Sequence, residues 1–185
     1  MYRRLYQIIL EEHRRVFEAQ DEADLEKLMS AIIQAKRVFV FGAGREGIAA
    51  RSFAMRIMHL GKETHWLLDD TTPGMQPDDL LIMVNGSGKI GCIDYFLDQA
   101  HKTHARVAVI TGAPHERTPL EADVAVFVPA AVYKGEDPRV IPSVQPMGNL
   151  FEQHLFLLFD IVVMMLEKRL SLTHAQMESR HRNIE

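Results

Sequence analysis

Residues Val38 to Gly47, VFVFGAGREG, decide the fold: four consecutive apolar residues break into glycines spaced GxGxxG, and a helical pattern follows. Glycine lets the chain turn tightly and approach a ligand closely, and the free N–H groups of a helix's first turn offer partial positive charge to an anion. A strand, a glycine turn and a helix in this order cradle a phosphate. The spacing is shared by nicotinamide enzymes, other nucleotide binders and sugar-phosphate binders, and turn glycines reproduce it by chance. The rest of the chain must therefore identify the ligand.

Outward from this stretch, strands alternate with helices. Upstream, Leu5, Ile8, Ile9, Val16, Phe17, Leu25, Leu28, Met29 and Ile32 recur at helical spacing over residues 2–35, with DEAD from Asp21 offering a cap between two helices. This predicts a helical hairpin or a bent helix. Downstream, the pattern predicts a buried strand over 37–41, a helix from Glu46 to Leu60 stopped by Gly61, and strands in THWLLD and DDLLIMVN. GSGKIG then repeats the glycine device ahead of the helical segment CIDYFLDQAHKTHA. A fourth strand in RVAVITG, a short helical turn in TPLEAD and a fifth strand in VAVFVPA follow. Such alternation implies an α/β fold, a three-layer αβα sandwich on a five-stranded parallel sheet of flavodoxin-like topology.

Between Ala130 and Gly148, prolines and glycines predict an irregular loop near the ligand edge of the sheet. It leads into LFEQHLFLLFDIVVMMLEKRL, a helix apolar around most of its circumference, so that one face packs on the domain and another meets a second subunit. Glu152, Gln153, His154 and Asp160 interrupt it too often for a membrane span of about 20 apolar residues. The tail from residue 171 to 185 is polar and ends in a charged cluster.

The chain's 185 residues, 47% of them apolar, suit one domain over 1–185, made of N-terminal helices (1–35), an α/β core (36–130), a C-terminal helix (148–170) and a tail (171–185). A net charge of −4 gives no electrostatic footprint for nucleic acid and no basic surface for a membrane. Cys92 is the single cysteine, so no internal disulfide forms, and the charged N-terminus lacks the apolar core of a signal peptide. Both point to the cytoplasm. Cys92 itself reads as a small buried side chain.

A dinucleotide site wants an acidic residue at the end of the second strand, about 20 residues beyond the glycines, for the ribose hydroxyls. Asp69 and Asp70 meet that requirement, so a dinucleotide-binding domain stays an alternative. However, a second glycine loop follows the third strand, and a chain of 185 residues has no room for a separate catalytic domain. Two loops converging on one small pocket suit a compact phosphorylated molecule better.

VFVFGAGREG, AMRIMHLG, DDTTP, DDLLIMVNGSG, QPMGNLFEQ and the terminal RHRNIE, in this order and along the whole chain, resemble the sugar isomerase (SIS) domain family, and within it the 6-phospho-3-hexuloisomerases. The resemblance implies a small-molecule sugar phosphate as ligand and a homo-oligomer, dimer or tetramer, with active sites shared between subunits. It also implies a phosphosugar isomerase that converts 3-hexulose 6-phosphate to fructose 6-phosphate through an enediolate. Such a reaction needs no metal or organic cofactor in principle: a base moves a proton between adjacent carbons while a donor or cation holds the charge on oxygen.

By the same resemblance, Glu152 is the candidate base, and His59 and His181 serve ring opening or proton transfer between oxygens. Arg45 holds the substrate, with Gly42, Gly44, Asn85, Ser87 and Gly88 around it. Each has a plainer reading. Glu152 falls three residues after Asn149, as in a capping box. His59 suits a helix end or a core position, His181 an ordinary tail residue, and Arg45 an ion pair with Glu46 or an acidic loop. Where relatives carry hydroxyl residues in the two loops, this chain has Glu46, Asn85 and Ile90, and a carboxylate facing a phosphate repels it. An isomerase for another sugar, or a metabolite-binding domain without catalysis, is the alternative those departures raise.

Overall fold

The apolar run forms β1 (Arg37–Gly42), a central strand of a five-stranded parallel sheet in the computed structural model, which describes residues 1–184. Glu185, the last residue of RHRNIE, lies outside the described residues. The other strands are β2 (Glu63–Trp66), β3 (Leu80–Val84), β4 (Arg106–Thr111) and β5 (Val124–Phe127), in spatial order β2-β1-β3-β4-β5. Helices α1 (Tyr2–Ala19) and α2 (Glu22–Gln34) precede the sheet, and α3 (Gly44–His59), α4 (Gly91–Thr103), α5 (Arg117–Glu121), α6 (Asn149–Arg169) and α7 (His174–Glu178) follow in turn. Asp21 caps α2 as DEAD predicts, its carboxylate accepting from the Ala23 N–H at 2.8 Å.

Alternation along the strands explains why these runs are apolar throughout: both faces of the sheet are covered. Val38, Val40, Leu80, Ile82 and Ile110 pack on one side with residues of α2, α3 and α6. Phe39, Phe41, Leu81, Met83, Val107 and Val109 pack on the other with Ile93, Leu97 and Ala100 of α4. Helices α3 and α6 meet through stacked Phe53 and Phe159 rings, 4.3 Å between centroids. On length and composition α6 could cross a membrane, but half of its apolar window is buried inside the fold, as in a core helix.

The chain leaves β1 for edge strand β2 on one side and returns to β3 on the other. The loops after β1 and β3 therefore diverge, opening a crevice at the strands' C-terminal ends where open α/β sheets bind ligands. The glycines of the first loop serve the close approach of α3 to β1, because a Cβ on Gly47 would collide with the Gly42 carbonyl. Loop 130–148 reaches the same edge. It is tied to α1 by Glu12, which accepts from the Val144 N–H (2.9 Å), the Ser143 hydroxyl (2.8 Å) and the Gln145 amide (2.9 Å). Burial alone would raise the Glu12 carboxyl, but these donors hold it below its usual range.

Three expectations need correction. The second strand stops at Trp66 instead of running through Asp69: β1 continues to Gly42, but its pairing with β2 ends at Val40 and Trp66 because the chain turns there, with the Asp69 N–H on the Trp66 carbonyl at 3.1 Å. Cys92 is exposed, since α4 buries the face of Ile93, Leu97 and Ala100 and the preceding residue points away from it. The tail is more than a polar extension. It forms α7, closed by a capping box between Thr173 and Gln176, and Arg180 then donates to the His59 carbonyl at 3.0 Å, placing a cation at the C-terminal end of α3.

Candidate active site

The predicted site residues fall into two clusters at opposite ends of α3. At its N-terminal end, facing the crevice, Arg45 approaches Glu152 of α6 with Nε 2.7 Å from Oε2. The pair is close but poorly aligned, and that buried Glu152 oxygen has no hydrogen-bond partner among the described residues. Glu152 is also not the third residue of a capping box. Gly148, in a left-handed conformation, is the N-cap, and Asn149 is already helical. The carboxylate meets the Arg45 side chain, so that Glu152 replaces the predicted Glu46 as the partner of Arg45.

Glu46 spans the crevice instead. From the first turn of α3 its Oε2 accepts from the Gly86 N–H at 3.0 Å, joining the two glycine loops, and its other oxygen lies against Gly86 beside Phe151. Burial first, then the negative charge of Glu152, push the Glu46 carboxyl up to about 7, against the opposing effect of the Gly86 N–H. Two carboxylates thus share the crevice, one bearing an arginine and one shifted toward its neutral form.

The second loop divides its residues. Ser87 accepts a long bond of 3.4 Å from the Lys89 N–H, and Gly88 turns with φ +71°. Lys89 is drawn to Glu116 at 3.2 Å and does not fold over the loop. Asn85, expected at the substrate, is wholly buried and donates to the Thr118 hydroxyl at 3.0 Å, which donates in turn to Asp94 at 2.9 Å. It fixes the end of β3 to α5 and α4, a supporting place. A cleft of about 190 Å³ lined by Ser87, Lys89, His115 and Asp137 adjoins the loop. Of the acidic pair suggestive of a ribose site, Asp69 pairs with Arg51 at 2.9 Å, whose guanidinium lies over the Trp66 ring.

At the far end of α3, the buried His59 ring stacks on His181 with centroids 5.3 Å apart. Burial, then Arg56 and His181, push its pKa down, and an Arg56 N–H lies 3.4 Å from Nδ1. An acceptor at Nδ1 leaves the proton of the neutral ring on Nε2. The cleft here, about 800 Å³, is lined by Arg56, Glu167, His174 and Arg182 as well as the two histidines. The 16 residues of α3 place the clusters about 22 Å apart at 1.5 Å per residue. Among the described residues no three His, Cys, Asp or Glu side chains gather as a metal-ligand set.

A family model described as the SIS domain matches residues 31–135, more than half of the chain and the whole sheet. The chain belongs to the SIS domain family. A relative from Bacillus subtilis named 3-hexulose-6-phosphate isomerase is 34% identical over 167 residues, covering 90% of this chain and 89% of its own. One of the same name from Mycobacterium gastri is 36% identical over 165 residues, covering 89% and 82%. A solved structure from Methanococcus jannaschii, a hypothetical protein for which that isomerase function was inferred, superposes with a TM-score of 0.84 at 30% identity, covering 98% of this chain and 99% of that one.

Arg45 and Glu152 meet, the Glu46–Gly86 bond joins their end of α3 to the loop that carries Ser87 and Gly88, and His59 and His181 stack on each other at the other end of α3. Sequence reasoning missed how the Glu152 end of α6 is held. His154 is fully buried, its Nδ1 3.1 Å from Nδ1 of His13 on α1, and burial followed by His13 pushes its pKa down to about 3. A histidine inside an otherwise apolar stripe of α6, and Glu12 and His13 on the face of α1 that buries Val16, were the available signals.

Proposed function

We propose that this chain is a phosphosugar isomerase that interconverts 3-hexulose 6-phosphate and fructose 6-phosphate through an enediolate. The Arg45–Glu152 pair at the crevice carries the reading: an acceptor oxygen with no hydrogen bond among the described residues sits beside a cation that can hold an oxyanion. Glu152 takes the proton from the carbon bearing hydroxyl next to the carbonyl and returns it to the former carbonyl carbon. Arg45 stabilises the charge on oxygen meanwhile. Gly42, Gly44, Ser87 and Gly88 surround the substrate, and the loops' N–H groups and hydroxyl bind its phosphate.

His59 and His181 belong to the same site only across a subunit boundary, given the length of α3, and they serve ring opening or proton exchange between oxygens there. The exposed Phe156, Leu157, Ile161 and Met164 of α6 support a homo-oligomer, which we take as a dimer or tetramer. We place it in the cytoplasm, as one domain over residues 1–185, consistent with the exposed free thiol of Cys92. Purified protein should convert 3-hexulose 6-phosphate to fructose 6-phosphate, and Glu152→Gln should lose conversion while still binding product. Tight binding by the wild type without conversion would favour a metabolite sensor.

A further inference from the structure

Glu46 holds a position in the crevice that the reaction above does not use. Its carboxyl closes on the Gly86 N–H, a donor that an anion between the loops would need. The charged groups facing it are few. From α6 there is Glu152, itself paired with Arg45 of α3, and from the β3–α4 loop only the Gly86 N–H, because that loop's cation, Lys89, is held by Glu116. A phosphate dianion entering beside two ionised carboxylates and one arginine meets net repulsion, whereas a protonated Glu46 offers an O–H donor.

We propose that Glu46 is a specificity-determining residue of the substrate site: it contacts the phosphate as the protonated acid, so that sugar phosphate binding takes up a proton at Glu46. The proposal rests on the reading that a sugar phosphate occupies the crevice between the glycine loops. Binding does not create the acid form from nothing. Burial already pushes the carboxyl up to about 7, and the dianion's charge favours protonation further. The ligand itself contributes little at pH 7.5, where a phosphate monoester with a second pKa of about 6 is nearly all dianion.

Calorimetric titration with fructose 6-phosphate at pH 7.5, in two buffers of different ionisation enthalpy, measures the linked proton. The wild type is expected to take up as much as about three-quarters of a proton per site, and its affinity to fall about 20-fold from pH 6.5 to 8.5. Glu46→Gln, which keeps a donor but does not titrate, should bind with no such uptake, and its affinity should change by less than about 2-fold over the same range. Glu46→Ser should likewise remove the uptake, which covers the case of a Gln variant that does not fold. Binding without uptake in the wild type, or with equal uptake in the variants, overturns the role of Glu46 and leaves the crevice reading in place. No binding at any pH by wild type or variants overturns both.

Discussion

Replacing Glu46 with glutamine should change how folding stability depends on pH, without any ligand. Its carboxyl is raised from 4.5 to about 7 in the folded chain by burial and by Glu152. The sign follows from the two values. Below pH 4.5 both folded and unfolded chains hold the proton; between 4.5 and about 7 only the folded chain does, so stability falls as pH rises; above about 7 the loss is complete. At about 1.36 kcal/mol per pH unit the full interval is worth about 3.4 kcal/mol, and hydration of an open crevice reduces that to about 1–3 kcal/mol. Glutamine is neutral throughout and retains an oxygen for the Gly86 N–H. Urea unfolding at fixed protein concentration should therefore show Glu46→Gln gaining about 1–3 kcal/mol on the wild type between pH 5 and 8. A difference between the two proteins that stays constant over that range would refute the burial argument.

Two other outcomes test the scaffold and the assembly. Asp21→Ala removes the cap of α2 and should cost about 1 kcal/mol in the same urea assay, with no change in ligand affinity. Inactive Glu152→Gln and His59→Ala proteins, unfolded together and refolded as mixed oligomers, should recover isomerase activity, because one site in each mixed pair then holds both native residues. Activity in neither mixture nor single variant would place all the required groups in one chain.

The strand pattern was legible because both faces of the sheet are buried, which makes β1, β3 and β4 continuous apolar runs, and because Gly42, Gly44 and Gly47 mark the turn into α3. Edge strand β2 was harder to delimit: it ends at the turn that brings the Asp69 N–H onto the Trp66 carbonyl, a turn that the apolar run THWLLD does not mark. Arg45, Ser87 and Glu152 were readable as candidates, but their partners were not. Arg45 meets Glu152 more than 100 positions away through the packing of α3 on α6, and Asn85 turns to Thr118 because the end of β3 is closed by α5. The charged tail carried no periodicity to explain it. Its function emerges only where Arg180 reaches the carbonyl of His59.

In the proposed reaction Glu152 moves a proton between carbons of a sugar phosphate held between the two glycine loops. Incubation with fructose 6-phosphate in deuterium oxide, followed by NMR, tests it most directly. The wild type should incorporate solvent deuterium on carbon, and Glu152→Gln should bind the same compound without exchange. Undiminished exchange by Glu152→Gln would contradict the account.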